Sequence, residues 1–242
     1  MKACGIIVEY NPFHNGHLYH IEQARAITDC DVLVVVMSGN FVQRGEPAIL
    51  IIELPYPWVT QSASHFAEGA VTLLKLAQVS SLVFGSESNN LQELKEIASM
   101  PINPDHLKES MAAGLAFPKA YGLWAREMLP NDILGVAYLK QLQDSPITPY
   151  TIQRTVSYHE TALQGPIASA KAIRLAAEQE CFCDEQTPMA SALKVGPRVC
   201  LAQFYPYLRM MLTTIPVRLL QTYFLFSEGI EVHLAHCAEI SP

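Results

Sequence analysis

The feature that most constrains the fold is an unbroken apolar run from Val32 to Met37. A strand without polar alternation is typical of a parallel sheet that is buried on both faces. Other short apolar segments lie at 3–10, 50–54, 81–84 and 151–158. Segments with helical spacing alternate with them, at 16–27, 62–78, 91–100, 104–116, 119–129, 131–143 and 168–180. This alternation predicts an α/β domain with a Rossmann-like, doubly wound parallel sheet over residues 1–180, followed by a helical C-terminal region over 181–242.

One connection in this pattern is short. The strand that ends at Met37 and the strand near Leu50 both look buried and parallel, and parallel neighbours need a crossover of a dozen or more residues. The segment between them, Ser38–Ile49, is rich in turn formers and lacks helical periodicity. Either the two strands are not parallel neighbours, or a helical segment is absent near residue 50, which is the interpretation we favour.

Composition excludes several classes of protein. Half of the 242 residues are hydrophobic and 16% are charged, which excludes a disordered chain. Twelve glycines and six cysteines exclude a collagen-like chain and a disulfide framework. The net charge of −7 argues against a general nucleic-acid binder, whose affinity comes mainly from Lys and Arg. No run approaches the ~20 apolar residues of a membrane span, so we expect a cytoplasmic protein with reduced thiols and no membrane partner.

The candidate functional motif lies between the first strand and the first helix and reads Tyr10-Asn11-Pro12-Phe13-His14-Asn15-Gly16-His17. Doubly wound folds bind ligands at this edge of the sheet. His14 and His17 share one face of the opening helical turn, and Gly16 lets a ligand approach the backbone. A helix N-terminus attracts anions, and two imidazoles there can stabilise the charge that develops in phosphoryl or adenylyl transfer. The motif therefore predicts a nucleotide site, with two capping histidines on a surface turn as the alternative.

The same motif carries a resemblance. His14-Asn15-Gly16-His17 resembles the HIGH signature of adenylyl-transferring enzymes. The longer strings are more specific, namely GIIVEYNPFHNGHLYHIEQA, VMSGNFVQRGEPA, IELPY, QSASHFAEGAV, FGSES, PNDILG and GPIASAKAIR. Together they resemble the bacterial tRNA(Met) cytidine acetate ligase family, from Met1 to about Glu178 and more weakly over Tyr205–Glu231. The resemblance implies activation of acetate with ATP to acetyl-adenylate, and acetylation of the wobble cytidine of elongator tRNA(Met).

The sequence departs from the family pattern in places. A Lys-Trp-x-Arg helix that the family carries after Glu46-Pro47-Ala48 is missing, at the connection that is short on physical grounds. Family members are also longer at the C-terminus, and they usually have a second Asn where Asp132 stands. We therefore expect this sequence to lack pieces that its relatives have.

The resemblance also implies site residues. Those for ATP are Ile7, Val8, Glu9, Tyr10, Asn11, Pro12, Phe13, His14, Asn15, Gly16, His17, Leu18, Tyr19, His20, Gly85, Asn131, Arg154 and Ser169. The implied catalytic residues are His14, His17 and Arg174, which would stabilise the pentacovalent transition state at the α-phosphate. Any Mg²⁺ would arrive with the ATP phosphates, since the sequence shows no cluster with metal-ligand spacing.

A second motif, Ile167-Ala168-Ser169-Ala170-Lys171-Ala172-Ile173-Arg174, follows the breaker pair Gly165-Pro166. Ser169 or Ala168 is expected to open a helix with Arg174 on its second turn. The guanidinium fork of arginine suits bidentate contact with phosphate. Lys171 lies on another face, where it can serve phosphate or solvent. An N-capping serine with a solvated arginine is the alternative.

Several positions between the two motifs point to the same edge of the sheet. Gly85 ends a strand and leaves room for adenine or ribose, Asn131 can cap a helix or read the nucleoside, and Arg154 ends a strand near the crevice. The loop with Ser38-Gly39-Asn40 and Gln43-Arg44-Gly45 is a candidate for the acyl pocket. The role of Tyr158-His159-Glu160 stays open, and His65 is expected to be a core or rim histidine.

RNA recognition has a weaker signal. From Gln186 to Ser227 the sequence has no acidic residue, and aromatic side chains are interleaved that can stack on bases. The cations in this stretch, which we predict to contact RNA, are Lys194, Arg198, Arg209 and Arg218. A helical core with scattered surface cations is the alternative.

Three function classes remain in view. The first is an ATP-dependent ligase with ATP, acetate and elongator tRNA(Met) as partners. The second is a cofactor-biosynthetic adenylyltransferase, which would share the ATP site but need a basic pocket for a phosphorylated small molecule. The third is a nucleotide-sensing or RNA-binding module without catalysis.

Overall fold

The computed structural model describes residues 1–38, 49–59, 61–101, 128–154, 161–163, 165–181, 183–195, 201–223 and 229–240. Its strands are β1 Ala3–Val8, β2 Val32–Ser38, β3 Ile49–Leu54, β4 Ser81–Ser86 and β5 Thr148–Gln153. Its helices in the first part of the chain are α1 Asn15–Thr28, α2 Tyr56–Val59, α3 Ala63–Leu76, α4 Leu91–Ser99, α5 Pro130–Gln141, α6 Ala170–Glu178 and α7 Ala190–Val195. A 3-10 turn, Leu201–Phe204, precedes α8 Tyr205–Thr214, α9 Val217–Leu220 and α10 Ile230–Ile240.

The five strands form one parallel sheet in the order β3-β2-β1-β4-β5, which confirms the predicted doubly wound fold. The order reverses between β1 and β4, and this switch point is where open α/β sheets bind ligands. β1 pairs with β2 along six residues but with β4 only at Cys4 and Gly5. The carboxyl halves of β1 and β4 are therefore unpaired with each other, and the sheet opens there.

Side chains of β1 alternate between two apolar cores. Ile7 faces the core under α3, α4 and α5, whereas Ile6 and Val8 face the core under α1. Val34 and Val35 of β2 divide in the same way. Burial on both faces explains why the strand sequences are continuously apolar.

The short connection joins parallel neighbours. β2 and β3 pair in parallel from Leu33 with Ile49 to Ser38 with Leu54. The first of our two alternatives, that these strands are not neighbours, is therefore wrong. The ten connecting residues, 39–48, lie outside the described part of the chain.

The fifth strand begins earlier than the sequence pattern predicted. It starts at Thr148 and includes Pro149, whereas the prediction began at residue 151. A residue without an N–H is tolerated here because β5 is an edge strand. Of the predicted helices, 104–116 and most of 119–129 lie outside the described residues.

The chain divides into two compact units, Met1–Lys194 and Val195–Pro242. In the second unit, Leu212, Leu220 and Ala238 form a small core between α8, α9 and α10, so the region is helical as predicted. Within the described part of the chain, no helix combines the length and apolarity that a membrane span requires.

A close contact between sheet and helix gives a test of this packing. A Cβ added at Gly5 would lie 2.6 Å from Cδ2 of Leu74, which is fully buried. We expect Gly5→Ala to lower the free energy of unfolding by about 1–3 kcal/mol. In urea unfolding, the loss in the Gly5→Ala/Leu74→Ala double variant should be smaller than the sum of the two single losses. Unchanged stability of Gly5→Ala would contradict the packing.

Candidate functional site

Two stacked histidines cap the first helix. His14 is the N-cap of α1, and its Nδ1 accepts a hydrogen bond from the Gly16 N–H at 3.0 Å. The His14 N–H donates in turn to Nδ1 of His17 at 3.3 Å. The two rings stack with their centroids 3.8 Å apart. The reciprocal bonds form a capping box built from imidazoles.

These backbone bonds assign the tautomers of both rings. Because Nδ1 accepts in His14 and in His17, the proton of each neutral ring lies on Nε2. Each ring therefore keeps one N–H donor for a ligand. His20, one turn further along α1, lies 3.1 Å through its Nε2 from the Val83 carbonyl. Val83 is the first residue of β4 beyond its pairing with β1, so an imidazole reaches the sheet where the strands part.

All three imidazoles are held in the neutral form. Burial lowers the pKa of His14 to about 4, and the positive charges of Arg154 and Arg174 act in the same direction. Burial also lowers the pKa of His20 to about 4. The pKa of His17 is well below its ordinary value, because of burial and then because of the neighbouring histidines and Arg154. At neutral pH the rings therefore act as hydrogen-bond donors beside fixed arginine charges.

Gly16 has a steric role beyond the predicted ligand approach. A Cβ at this position would lie 2.8 Å from Cε1 and 3.0 Å from Nδ1 of His14. A side chain would therefore displace the capping imidazole.

Asn15 ties the motif to distant parts of the chain. Its Nδ2 donates to the carbonyls of Pro166 and Glu185, at 2.8 and 2.7 Å, and its backbone N–H donates to Gln186. The Thr187 hydroxyl donates to the Phe13 carbonyl at 2.5 Å. Residues that the sequence analysis placed in the C-terminal region thus belong to the support of the first motif.

The second motif joins the first directly. Ser169 is the N-cap of α6 as predicted, and its Oγ accepts from the Ala172 N–H at 3.0 Å. Arg174 reaches across from α6 and donates through Nη1 to the Asn11 carbonyl at 2.6 Å. The N-termini of α1 and α6 therefore border the same space, and the positive ends of both helix dipoles favour an anion there. The first N–H groups of α1 are already bonded within the chain, those of Asn15 and His17 to backbone carbonyls and that of Gly16 to His14 Nδ1.

A carboxylate orients a third polar group. Glu87, just after β4, accepts at Oε1 from the Asn131 amide at 2.6 Å and at Oε2 from the Asp132 N–H at 3.0 Å. It thereby satisfies the start of α5, where Leu129 and not Asn131 is the N-cap. Because Nδ2 of Asn131 faces Glu87, its Oδ1 is presented to Arg154, whose Nη1 lies 3.4 Å away.

Asp132 stabilises the turn after β4. Its carboxylate is 3% exposed and accepts from the Ser86 hydroxyl at 2.5 Å and from the backbone N–H groups of Glu87 and Ser88. An asparagine has only one carbonyl oxygen for these donors. Asp132 therefore has a structural function in this chain.

These groups surround one cleft of about 560 Å³ at the carboxyl edge of the sheet. The ATP-site residues predicted from the sequence that line it are Ile7, Val8, Glu9, Asn11, His14, Gly16, His17, Tyr19, His20, Gly85, Asn131, Arg154 and Ser169. Arg174 and Lys171 also line the cleft. The two motifs, 150 residues apart in the chain, thus meet in one space.

Five predicted residues do not line the cleft, namely Tyr10, Pro12, Phe13, Asn15 and Leu18. The Tyr10 ring packs against Phe13 and His17, so it supports the histidines from behind. In the suggested acyl loop, Ser38 ends β2 and pairs with Leu54, and the rest of the loop lies outside the described residues, as do Tyr158-His159-Glu160. His65 is exposed on α3 and pairs with the Ser62 hydroxyl at 3.1 Å.

One side of the cleft was not predicted from the sequence. It is lined by Val59, Gln61, Ala63 and Phe66, from α2 to the start of α3, and by Leu134 and Tyr138 of α5. A signal existed in α5, where Asn131, Leu134 and Tyr138 have the spacing of one helix face. No comparable spacing marks Val59 and Gln61, which only the tertiary fold brings to the cleft.

The predicted RNA contacts have different environments. Lys194 pairs with Asp184 at 3.0 Å, and Arg209 donates to the Ala238 carbonyl within the second unit. Arg218 is exposed, and Arg198 lies outside the described residues. Within the described residues, no group of three or more His, Cys, Asp or Glu side chains is arranged to hold a metal ion.

The chain is similar to proteins of a known family. The sequence profile of the HIGH Nucleotidyl Transferase family matches residues 1–241. The tRNA(Met) cytidine acetate ligase of Oceanobacillus iheyensis is 35% identical over 98% of this chain and 71% of its own length. That match spans 283 aligned positions against the 242 residues of this chain, so the relative carries segments that are absent here.

Two further comparisons bear on the site. The tRNA(Met) cytidine acetate ligase of Geobacillus sp. WCH70 is 41% identical over 73% of this chain, which spans about half (52%) of that relative. The crystal structure of Thermotoga maritima TmcAL bound with alpha-thio ATP superposes on the whole chain with a TM-score of 0.80 and 32% identity, and 68% of that structure is covered.

The depressed histidine pKa values predict an acid-sensitive fold. Between the ordinary pKa of about 6.5 and the folded pKa of about 4, His14 takes up a proton in the unfolded chain but not in the folded one. Stability is therefore full above pH 6.5 and falls toward pH 4. We expect His14 to lower the free energy of unfolding by about 2 kcal/mol between pH 7 and pH 5. His14→Asn keeps an N-cap acceptor but does not titrate in this range, so this part of the loss should be absent from the variant. Chemical unfolding at both pH values measures this, and equal losses in both proteins would contradict it.

Proposed function

Because this chain belongs to the HIGH nucleotidyl transferase family and, within it, to the tRNA(Met) cytidine acetate ligases, we propose that it activates acetate with ATP and transfers the acetyl group to a tRNA cytidine. The observation that carries the proposal is the meeting of His14, His17, Ser169 and Arg174 at one cleft. Two helix N-termini, two neutral imidazole donors and a guanidinium there suit a polyphosphate.

The nucleoside of ATP occupies the β4–β5 side of the cleft. The strand end at Gly85 is open. A Cβ added there would have Arg154 Cγ as its first neighbour, at an ordinary contact distance of 3.5 Å. Asn131 and Arg154 offer an oriented amide oxygen and guanidinium N–H groups. The Thermotoga maritima TmcAL that binds alpha-thio ATP has the same fold over the whole of this chain, which supports ATP as the nucleotide.

The reaction has two displacement steps. A carboxylate oxygen of acetate attacks the α-phosphorus of ATP, the bond to the β-phosphate oxygen breaks, and pyrophosphate leaves. The exocyclic amine of the cytidine then attacks the acetyl carbonyl, AMP leaves, and the amine loses a proton. Mg²⁺ enters as part of the ATP complex, and its ligands are largely the phosphate oxygens.

The residues of the chain act by position and charge. The Nε2–H groups of His14 and His17 donate to the oxygens of the α-phosphate, whose negative charge grows in the pentacovalent transition state. Arg174 and Lys171 neutralise the departing pyrophosphate. No side chain forms a covalent intermediate, so alignment of acetate with the α-phosphorus supplies much of the rate.

The same cleft argues against the other two classes. An adenylyltransferase for a phosphorylated metabolite needs cations at the end of the cleft away from the nucleoside. Among the described lining residues, the cations are Arg154, Lys171 and Arg174 of β5 and α6, while the residues from α2 and α3 are mostly apolar. A non-catalytic module would not require two imidazoles stacked at an anion site, with their Nε2–H donors left for a ligand.

The tRNA surface is proposed to include the cationic, acid-free part of the chain. Arg218 is exposed and can meet a phosphate directly. Lys194 and Arg209 also have partners within the chain, so they would contribute charge and position together. Arg198 belongs to this proposal through its place in the sequence.

Removal of one imidazole tests the proposed chemistry. We expect His17→Ala to slow acetate-dependent exchange between ATP and pyrophosphate by about 10²–10³-fold, because one donor to the transition state is lost. His65→Ala is the matched control, since His65 lies on the surface of α3 outside the cleft. Near wild-type exchange in His17→Ala would contradict the assigned role.

A second test concerns the carboxylate behind the nucleoside site. Glu87→Gln removes the charged acceptor that orients Asn131 and frees its amide to rotate. We expect a rise of about 3–10-fold in the Kd for ATP, the size of one hydrogen bond to a charged group or less. Glu93→Gln changes a similar carboxylate–asparagine pair, with Asn90, outside the cleft and should leave the Kd unchanged. Calorimetric titration with ATP distinguishes the two outcomes.

A further inference from the structure

One end of the cleft is lined by side chains that we do not assign to ATP. We call it the α3 end, and it is lined by Val59, Gln61, Ala63, Phe66, Leu134 and Tyr138. Five of these side chains are apolar or aromatic, and none carries a charge at neutral pH. The histidines and arginines line other parts of the cleft, and the Glu9 carboxylate, whose charge acts on Tyr138, lies at the margin of this end. The cleft therefore divides into a polar part and a small apolar part.

The strand order places the nucleoside away from the α2 and α3 residues of this end. Gly85 and Arg154 belong to the carboxyl ends of β4 and β5, on one side of β1. Helix α3 packs against α5 and also contacts β2 and β3, on the other side of β1, whereas Leu134 and Tyr138 continue the α5 face that begins with Asn131. The α-phosphate lies between them, at the N-terminus of α1 beside β1. A group at the α3 end can therefore approach the α-phosphorus from the side that the nucleoside leaves free.

The wall of the α3 end is closely packed, and Phe84 of β4, which also lines the cleft, packs against its Tyr138. Phe66, Phe84 and Tyr138 are 9%, 3% and 2% exposed, and the rings of Phe84 and Tyr138 meet edge to face at 5.7 Å. A Cβ at Gly135 would lie 2.6 Å from Cε2 of Phe84, so the ring has no room to retreat toward α5. A wall that cannot yield limits the length of an alkyl chain.

We propose that the α3 end is the acyl subsite, and that Phe66 sets the chain length of the carboxylic acid it accepts. The inference rests on the proposed function and deepens it. The alkyl group packs against Phe66 and Ala63, and the Gln61 amide, at the polar margin, donates to the carboxylate. The carboxylate then faces the α-phosphorus. A two-carbon acid fits this arrangement, and longer acids meet the Phe66 ring.

Two variants with opposite effects test the subsite. Phe66→Leu enlarges it. We expect the ratio of kcat/KM for propionate to kcat/KM for acetate to rise at least about tenfold, because one methylene changes kcat/KM by roughly 10–200-fold in a closed apolar pocket. Ala63→Leu fills it, and kcat/KM for acetate should fall at least about tenfold. Both values come from acid-dependent exchange between ATP and pyrophosphate, with acetate, propionate and butyrate.

A variant on the same helix serves as the control. Val71→Ala removes buried volume from the same helix outside the cleft and should leave the acid preference unchanged. An unchanged preference in both subsite variants overturns the proposal. A rise in the Kd for ATP that parallels the activity changes also overturns it, because the base would then occupy the α3 end. Absence of exchange with every acid in the wild-type protein would instead refute the proposed function itself.

Discussion

The site depends on how the first helix begins. A helix N-terminus leaves backbone N–H groups unpaired, and in this chain two of the nearby N–H groups, those of His14 and Gly16, donate to imidazole nitrogens. That arrangement fixes the position of both rings and the nitrogen that keeps the proton. Burial then keeps both rings neutral by lowering their pKa, helped at His14 by Arg154 and Arg174 and at His17 by the neighbouring histidines and Arg154. The cap of the helix and the imidazole donors of the candidate site are thus one structure, and a change to either affects both.

The sheet provides the space that this cap requires. β1 and β4 pair only near their N-terminal ends, so the strands part where α1 begins. His20 reaches β4 across this opening. From the other side, Arg174 and Thr187 bind the carbonyls of Asn11 and Phe13, so the loop between β1 and α1 is held at both of its faces. The motif is rigid because distant segments satisfy its backbone.

Much of the fold was predictable because burial on both faces leaves a clear signature in Val32–Met37 and its counterparts. The proximity of His14 and His17 was also expected, since their spacing places them on one helix face, but their stacking was not. The start of β5 was missed, because Pro149 conceals an edge strand. The α3 end was missed for a different reason. Phe66 reads as a core residue in sequence, and only the packing of α3 beside α5 shows that its ring also borders the cleft.

In the proposed function, this cleft activates acetate for transfer to RNA. The most direct test incubates the protein with radiolabelled acetate, ATP and bulk bacterial tRNA, and then measures label in tRNA that has been purified and digested to nucleosides. We expect ATP-dependent label in acetylated cytidine. Label that stays absent from tRNA, while the protein still binds ATP, would contradict it.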